Sequence, residues 1–530
     1  MIASDTDAHR RTEHPKGARA QLNLPQHRAA TYAGLPRKKC WLQVGLLALL
    51  LAGGSGDRAP AAEPPPIRIS PLHVRPKSGN AGDVIAFHWQ GQYHVFYLHG
   101  GRWAHNVSTD LLHWKELPPA LGKGSDPIGP DGQACWTGSI VERGGTFYLF
   151  YTGKNSKDPK GDQKVMLATS NDLVRWEKQP ERTFYADGKI YWSKPVNGPA
   201  EPAPYAQQAF RDPDVFWHER EQQWWMLLRA LTAEGHHPCI GVYSSRDLLQ
   251  WTPRAPLAKY ATGVPLDCPH AAPMLGRWFV LAAHTNYVST ETPEGPYPSA
   301  MQPYESGNLF VPKSLFDGRR RLLWGWIQDL EGNRDTGKPL WGGTLCLARE
   351  IYPGTAGQLY CRPAAEVTAA FGQTAFDLAS QPRPGTPSGT WRYQDGRLNS
   401  GPDGGACRFS VPDDYMLQCT VQIDPAATLT VGLRQQEDGA AYPLVINPKK
   451  QEVSLSRGKS RFARAVELDA TKPISIQAFV QGAIIECFIN DRFAFTCRVY
   501  DLSKGELGLK VEGGPVTVLS LVAKTLPQTL

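Results

Sequence analysis

Three aspartates in this 530-residue chain stand where apolar strand-like segments begin. Asp83 precedes Val-Ile-Ala-Phe, Asp212 lies in Arg-Asp-Pro-Asp-Val-Phe, and Asp267 lies in Leu-Asp-Cys-Pro-His. A set of carboxyl groups in one site suits glycoside hydrolysis, in which one ionised carboxylate attacks or stabilises the anomeric carbon and one protonated carboxyl donates to the leaving oxygen. Like charges held close together separate the pKa values and therefore the two roles. The alternative is that each aspartate only caps a turn at a strand start.

Repeats predict that these positions are equivalent. The pattern Ser-x-Asp-Leu-x-x-Trp occurs at 108–114, 170–176 and 245–251, and each copy is expected to close a turn. Five hairpin units of an apolar strand, a turn and an aromatic-rich strand interleave with it, beginning near Val84, Ser139, Val215, Ala272 and Lys313. We therefore expect an all-β five-bladed β-propeller over residues 65–363, with a β-sandwich or plain antiparallel array as the alternative. If the first strand of each blade is innermost, the three aspartates converge on the central axis.

The character of the sequence changes near residue 364. Residues 364–371 predict a short connecting helix, and 364–389 as a whole, with a Pro- and Gly-rich stretch at 381–389, is expected to link two domains. Alternating strands then predict a C-terminal β-sandwich over 390–530. Within it, Asn490-Asp-Arg between two apolar segments predicts a hairpin.

Residues 1–64 are typical of a targeting leader. Arg37-Lys-Lys precedes an apolar run from Trp41 to Gly53, which small residues follow. We expect a secreted or periplasmic protein; the alternative is an uncleaved leader that tethers the protein to a membrane, facing outward. The net charge is +7, of which the leader with its nine basic and five acidic residues contributes more than half, so a nucleic-acid partner is not expected.

Cysteine usage leaves the redox state open. Ten cysteines less Cys40 of the leader make nine, an odd number. Cys407 with Cys419 and Cys487 with Cys497 could pair, and buried free thiols are the alternative. Because there is no CxxC and no His/Cys cluster at zinc spacing, we predict no metal and no cofactor.

Several motifs together resemble glycoside hydrolase family 32, the invertase, levanase and inulinase group. Their order along the chain is similar to that of the family in the segments Gly82-Asp-Val-Ile-Ala-Phe, Trp103-Ala-His-Asn, Trp136-Thr-Gly-Ser139, Phe210-Arg-Asp-Pro213, Trp324-Gly-Trp and Trp341-Gly-Gly. The resemblance spans residues 66–525 and implies a five-bladed propeller followed by a sandwich.

Residue roles follow from the resemblance, position by position. It implies Asp83 as the nucleophile of a retaining β-fructofuranosidase, Asp212 as the transition-state stabiliser and Asp267 as the acid/base. Arg211 would keep Asp212 ionised. It also implies that Trp103, Trp136 and Ser139 line the sugar site, with a fructose-containing oligo- or polysaccharide as substrate.

Two motifs depart from the family pattern. Asn80-Ala-Gly-Asp-Val-Ile lacks the aromatic residue, the proline and the second asparagine of the family's Trp-Met-Asn-Asp-Pro-Asn, and Asp267-Cys-Pro replaces Glu-Cys-Pro. Aspartate is one methylene shorter than glutamate, so the carboxyl is withdrawn by about 1.5 Å. His270 is an alternative proton donor, or a structural histidine. Two further functions stay open: a carbohydrate-binding propeller without turnover, and hydrolysis of another furanoside such as an arabinofuranoside.

Overall fold

A computed structural model describes most of the chain beyond the leader. The described residues are 67–193, 209–261, 264, 266–282, 284–380, 388–389 and 391–528. The predicted leader and the 381–387 part of the predicted linker lie outside them. Within them, no helix is both long and apolar enough to cross a bilayer.

The first part of the described chain forms five antiparallel sheets, which we number 1 to 5 in chain order. Each begins with a strand that we call its inner strand. Sheets 1 to 3 contain Val84–Trp89, Gln92–His99, Arg102–Ser108 and Lys115–Leu121; Ala134–Arg143, Thr146–Lys154, Gln163–Ser170 and Glu177–Lys178; Phe210–His218, Gln223–Leu231, Pro238–Ser245 and Thr252–Lys259. Sheets 4 and 5 contain His270–Ala271, Trp278–Ala282, Asn286–Thr290 and Gln302–Pro303; Leu309–Phe316, Arg321–Leu330, Pro339–Leu345, Arg349–Pro353 and Leu359–Pro363.

Contacts between neighbouring sheets close these five sheets into a ring. The inner strands of sheets 1, 2, 3 and 4 contact one another in succession, and the inner strand of sheet 5 contacts both sheet 4 and the inner strand of sheet 1. This is the predicted β-propeller. Four inner strands start earlier than predicted, at Ala134, Phe210, His270 and Leu309. The start at Phe210 is not evident from hydrophobic periodicity, because polar residues and Pro213 follow it.

The Ser-x-Asp-Leu-x-x-Trp repeat forms the predicted turn after the third strand of sheets 1, 2 and 3. In the first copy the Ser108 hydroxyl accepts from the Leu111 amide at 2.9 Å, and Asp110 Oδ1 accepts from the His113 amide at 2.9 Å. The central leucine is buried in every copy and has φ of 68°, 62° and 68°. Such a conformation is unfavourable for leucine, and the Ser and Asp hydrogen bonds hold it. A fourth strand follows each turn.

Two further sheets form the predicted sandwich. One contains Glu305–Gly307, Phe493–Arg498, Ile484–Ile489, Ile474–Gln481, Tyr415–Ile423, Val516–Thr525, Arg397–Asn399, Arg392–Gln394 and Gln373–Asp377; the other contains Ser388–Gly389, Gly405–Phe409, Glu506–Glu512, Thr428–Gln435, Tyr442–Asn447, Glu452–Arg457 and Ser460–Ala465. Buried residues of both sheets share one apolar core. The predicted hairpin turns at Asn490 and Asp491, whose φ values of 54° and 53° fit a type I′ turn.

The predicted connecting helix is present, and other helical segments are short. It spans Ala365–Ala370, and single 3₁₀ turns occur at Pro180–Arg182, Glu331–Asn333 and Pro448–Lys450. The strand Gln373–Asp377 falls inside the stretch expected to be linker, yet it pairs with Val516–Thr525 of the sandwich. A linker expectation from composition misses such a short edge strand because the pairing partner is far away in sequence.

The nine cysteines beyond the leader are all buried and free in the structure. Cys487 and Cys497 lie on paired strands but are not opposite each other, since Cys487 faces Phe495 and Cys497 faces Ile485. Of the two alternatives, the structure therefore has buried free thiols.

Buried charges join the propeller to the sandwich. Arg349 of sheet 5 binds Glu305 and Glu486, and all three side chains are 0% exposed. Glu305 begins a strand that leaves the propeller and pairs in parallel with Phe493–Arg498, and Glu486 belongs to the sandwich. Arg498 of the sandwich donates to the carbonyl of Ile327 at 3.0 Å.

We predict that Arg349→Met destabilises the whole protein. Removing the guanidinium leaves two buried carboxylates without their cation, and breaking a buried pair in this way costs about 3–5 kcal/mol. Urea unfolding followed by tryptophan fluorescence measures the change. Arg362→Met is the matched control, because Arg362 pairs with Glu350 at 2.7 Å but its side chain is 43% exposed, and its loss is expected to cost about 1 kcal/mol or less. Equal losses in the two variants would contradict the role assigned to Arg349.

Candidate active site

The three predicted aspartates meet at one end of the propeller axis. Asp83 immediately precedes the inner strand of sheet 1, Asp212 is in that of sheet 3, and Asp267 lies just before that of sheet 4. Cys268 connects two of them: its amide donates to Asp212 Oδ2 at 3.0 Å, and its Sγ lies 3.8 Å from Asp83 Oδ2. Arg211 connects Asp212 to the third aspartate, because it contacts both Asp212 and Asp267. We call this group the carboxylate funnel.

Asp83 is held at both carboxylate oxygens. The Thr137 hydroxyl donates to Oδ2 at 2.6 Å, and the Trp326 indole N–H donates to Oδ1 at 2.9 Å. Burial raises the pKa of Asp83 above its ordinary value, although both hydrogen bonds lower it. The two donors fix the carboxylate orientation and leave lone pairs free to face a substrate.

Asp212 is buried and held in an unusual backbone conformation. Its φ is 61°, and its amide donates to the Thr152 hydroxyl at 2.7 Å. Strain of this kind is concentrated at functional sites. Burial raises the pKa of Asp212 to about 6, and the attraction of Arg211 does not offset it. Arg211 Nε is 3.4 Å from Asp212 and lowers the pKa of that carboxyl, the direction that the sequence prediction requires, but burial has the larger effect, and the terminal nitrogen of Arg211 is bound to Asp267.

Asp267 differs from the other two because it is paired with cations. It contacts Arg211, and Arg229 Nε lies 3.9 Å away. Burial would raise the pKa of Asp267, but the attraction of Arg211 and Arg229 outweighs it, and the pKa lies below its ordinary value. The side chain is 46% exposed, so it faces the opening of the funnel.

The other predicted site residues divide into two groups. Trp136 is half-buried, and the Lys154 ammonium lies 5.5 Å from its ring centre. Trp103 is 0% exposed, so it cannot stack on a sugar where it lies; its indole N–H donates to the carbonyl of Trp136 at 3.1 Å. Ser139 is buried and accepts from the Val215 amide at 2.9 Å, which links sheets 2 and 3. Trp103 and Ser139 thus support the site from the core.

His270 is not positioned as a donor for the funnel. Its Nδ1 is 2.9 Å from Asp214, and its Nε2 is 2.7 Å from the Ser314 hydroxyl. Of the two alternatives for His270, these contacts favour a structural histidine.

The sequence motifs predict no individual role for the aromatic residues of sheet 5. Phe310 stacks on Trp326 with ring centres 4.8 Å apart, and Trp326 lies 5.9 Å from Trp341, which is 54% exposed. The Trp341 ring covers Gly82, where a Cβ atom would overlap it. A tryptophan face therefore stands beside Asp83, next to the motif that lacks the family's aromatic residue.

One group among the described residues has the composition of a metal site. The ligand atoms of His218, Glu221 and Glu294 lie within 4.8 Å of one another. Arg254 and Arg220 already pair with the two glutamates, and His218 Nε2 is 2.8 Å from Glu294. Their chemistry is that of an ion-pair network, and it does not fit a cation.

Carboxyl groups whose pKa values are shifted in opposite directions, next to exposed aromatic faces, are typical of a glycosidase site. Comparison with known families agrees. The description "Glycosyl hydrolases family 32 N-terminal domain" matches residues 73–363, and "Glycosyl hydrolases family 32 C terminal" matches 390–525. The chain belongs to glycosyl hydrolase family 32, and it is a glycosidase.

Individual relatives support this assignment. The chain is 26% identical to the cell wall isozyme of beta-fructofuranosidase from Zea mays over 84% of this chain and 88% of that protein. It is 25% identical to the raffinose invertase of Escherichia coli over 81% and 89%. Among solved structures, exo-inulinase from Aspergillus awamori has a TM-score of 0.65 at 18% identity, covering 88% of this chain and 99% of that one. Fructan 1-exohydrolase IIa from Cichorium intybus has a TM-score of 0.63 at 18% identity, covering 86% and 96%. These structures share the propeller and sandwich fold.

We predict that Gly82→Ala lowers glycosidase kcat/KM by about 10- to 100-fold, because a new Cβ displaces Trp341 beside Asp83. Since the Trp341 ring is exposed and can turn away, the free energy of unfolding should change little. Trp341→Ala removes the clash, so the double variant should be no worse than Trp341→Ala alone. Gly372→Ala, where nothing lies within 4 Å of the new Cβ, is the control. Independent effects of the two substitutions would contradict the contact.

Proposed function

We propose that this protein hydrolyses β-fructofuranosidic bonds, in substrates of the sucrose, levan or inulin type, by a retaining double displacement. The observation that carries the proposal is Asp83, whose two carboxylate oxygens are oriented by Thr137 and Trp326 within the carboxylate funnel. The names of the family 32 relatives support the fructofuranoside as substrate. Family membership also favours it over an arabinofuranoside.

In the first step Asp83 attacks the anomeric carbon and the bond to the leaving oxygen breaks. Asp267, in its protonated form, gives that oxygen a proton, and a fructosyl ester of Asp83 results. In the second step Asp267 takes a proton from water, which attacks the same carbon and releases fructose with retention. Asp83 is then free again.

Asp212 stabilises the positive charge that develops on the ring. The hydrogen bond from the Cys268 amide and the contact with Arg211 hold its carboxylate in place. As the furanose approaches an oxocarbenium ion, hydrogen bonds from its hydroxyls to an ionised Asp212 become stronger, which lowers the barrier.

A second candidate function is carbohydrate binding without efficient turnover. It is favoured by Asp267, which is one methylene shorter than the family's glutamate and is paired with Arg211. A neighbouring guanidinium lowers the pKa of a carboxyl group, so the group is protonated only at low pH, and the shorter side chain reaches less far towards a leaving oxygen.

The substrate test compares fructose release from sucrose, inulin and levan, with an arabinan as the unrelated polymer. Asp83→Asn is expected to lower kcat by about 10⁴-fold or more, because no ester can form. Asp267→Glu is expected to raise it, because the carboxyl regains its reach. Binding of fructans without release by the parent, with release only by Asp267→Glu, supports the second candidate. Full activity of Asp83→Asn would contradict the assignment of the nucleophile.

The pH dependence should also be unusual. Burial raises the pKa of Asp83, whereas the cations Arg211 and Arg229 outweigh burial and lower the pKa of Asp267. The working form needs Asp83 ionised and Asp267 protonated, so only a minor share of the singly protonated protein is competent. We expect kcat/KM to have an acidic maximum and to fall towards neutral pH as the last of these protons is lost.

Arg229→Gln tests the pH dependence. It removes one cation near Asp267, which raises the pKa of Asp267, so kcat/KM at the maximum should increase and the acid limb should move to higher pH. Arg220→Gln, at an exposed position of the same sheet, is the control. An identical profile in the parent and Arg229→Gln would contradict the proposed proton donor.

We also propose that the protein is exported through its leader to the cell exterior or periplasm, or tethered to the membrane by it. Support comes from the basic and apolar segments of residues 1–64, which lie outside the described residues.

A further inference from the structure

A second cavity, of about 300 Å³, lies further along the propeller axis than the carboxylate funnel. The inner strands run away from the funnel, and the cavity is lined by their later residues, such as Ile85 to His88 after Asp83. Five strand residues span about 16 Å. Aromatic residues surround its mouth, among them Trp217 at 38% and Phe316 at 55% exposure. We call this space the axial cavity.

A chain of polar groups forms the inner wall of the axial cavity. Asp214 Oδ1 lies 2.9 Å from Lys313 Nζ and 2.9 Å from His270 Nδ1, and its Oδ2 accepts from the Ala271 amide at 2.8 Å. Asp214 is therefore fully used by partners within the protein. Its charge is compensated by Lys313.

His270 adds no charge to this wall. Its Nε2 accepts a hydrogen bond from the backbone amide of Ser314 at 3.1 Å. A backbone amide can only donate, so Nε2 carries no proton and the ring is neutral. Burial also lowers the pKa of His270.

Arg321 is the group in this wall that has no ion pair among the described residues: Asp214 attracts it, but Asp214 is already bound to Lys313. It donates to the Ser314 hydroxyl at 3.2 Å and to the carbonyl of Pro273 at 3.4 Å, and its buried Nε has no partner. Asp214 is the one carboxylate among the described residues that line the cavity, and Lys313 already neutralises it. The cavity wall thus carries one positive charge in excess. A buried charge without a counter-ion is unfavourable, so this site is complementary to an anion.

We propose that the axial cavity binds a small organic anion, with its phosphate or carboxylate group at Arg321 and its body against the aromatic mouth. A pocket with apolar walls and a few convergent polar groups is typical of small-ligand sites. The site is separate from the carboxylate funnel and does not depend on the proposed function.

Three probes separate the parts of this proposal: inorganic phosphate for the anionic group, benzyl alcohol for the body, and phenyl phosphate for both. Dissociation constants come from the rise of Tm with probe concentration at constant ionic strength. Phenyl phosphate is expected to bind about tenfold or more tightly than either of the others. Asp83→Asn should bind all three as the parent does, because the funnel takes no part.

Two variants locate the binding. Arg321→Gln should weaken phenyl phosphate by about tenfold or more and abolish the response to phosphate, since hydrogen bonds to charged groups are the strong ones. Trp217→Ala, at an exposed position, should remove only the advantage of phenyl phosphate over phosphate. Arg319→Gln, at an exposed position two residues from Arg321, is the matched control and should match the parent.

Equal binding of phenyl phosphate by Arg321→Gln and Arg319→Gln would overturn the proposal, as would a parent protein whose Tm shows no saturable response to phenyl phosphate. If Arg321→Gln fails to fold, Arg321→Lys and Trp217→Ala take its place. The proposal is supported if Arg321→Lys, which keeps the charge, still binds phenyl phosphate, and if Trp217→Ala, which lacks the ring, binds phenyl phosphate no more tightly than phosphate. Loss of fructose release in Asp83→Asn with anion binding unchanged would show that the two sites are independent.

Discussion

The buried ion pairs of Arg349 hold together the parts from which the site is made. A guanidinium without exposure to water is tolerable only with its carboxylates in place. Glu305 and Glu486 supply them from a strand that leaves the propeller and from the sandwich. Thr496 donates to Glu305 and His73 contacts Glu486 at 3.0 Å, so each carboxylate has a second partner. Sheet 5 is therefore fixed relative to the sandwich by charge as well as by the shared apolar contacts.

This constraint reaches the funnel through sheet 5. Arg498 of the sandwich binds Asp329 at 2.9 Å and the Ile327 carbonyl, next to Trp326, which orients Asp83. Gly343 exchanges backbone hydrogen bonds of 2.8 Å with Ala81, which places Trp341 over Gly82. The sandwich thus supports the aromatic side of the carboxylate funnel, a role that needs no polysaccharide contact of its own.

The surroundings of the three carboxyl groups shift their pKa values in ways that the sequence motifs do not predict. Arg211 precedes Asp212 in the chain, but the fold directs its terminal nitrogen to Asp267. The pKa of Asp212 is then governed chiefly by burial and that of Asp267 by cations. Asp267 therefore combines a side chain shorter than the family's glutamate with a lowered pKa, and each of these features opposes proton donation by this carboxyl.

The sequence alone determined the architecture and the convergence of the three aspartates on one end of the propeller. The repeated hairpins and turns are encoded locally, since the Ser108 and Asp110 hydrogen bonds form within a few residues. Equivalent strand starts in successive repeats then predict that the aspartates converge. Contacts between distant segments were decided only by the tertiary structure. Trp103 became core although its motif suggested a sugar contact, and Trp341 reached Gly82 across 259 positions of the chain. The strand Gln373–Asp377 and the unpaired charge of Arg321 could not be predicted from the sequence for the same reason. Strand pairing and the neutralisation of a charge both depend on which residues are neighbours in space.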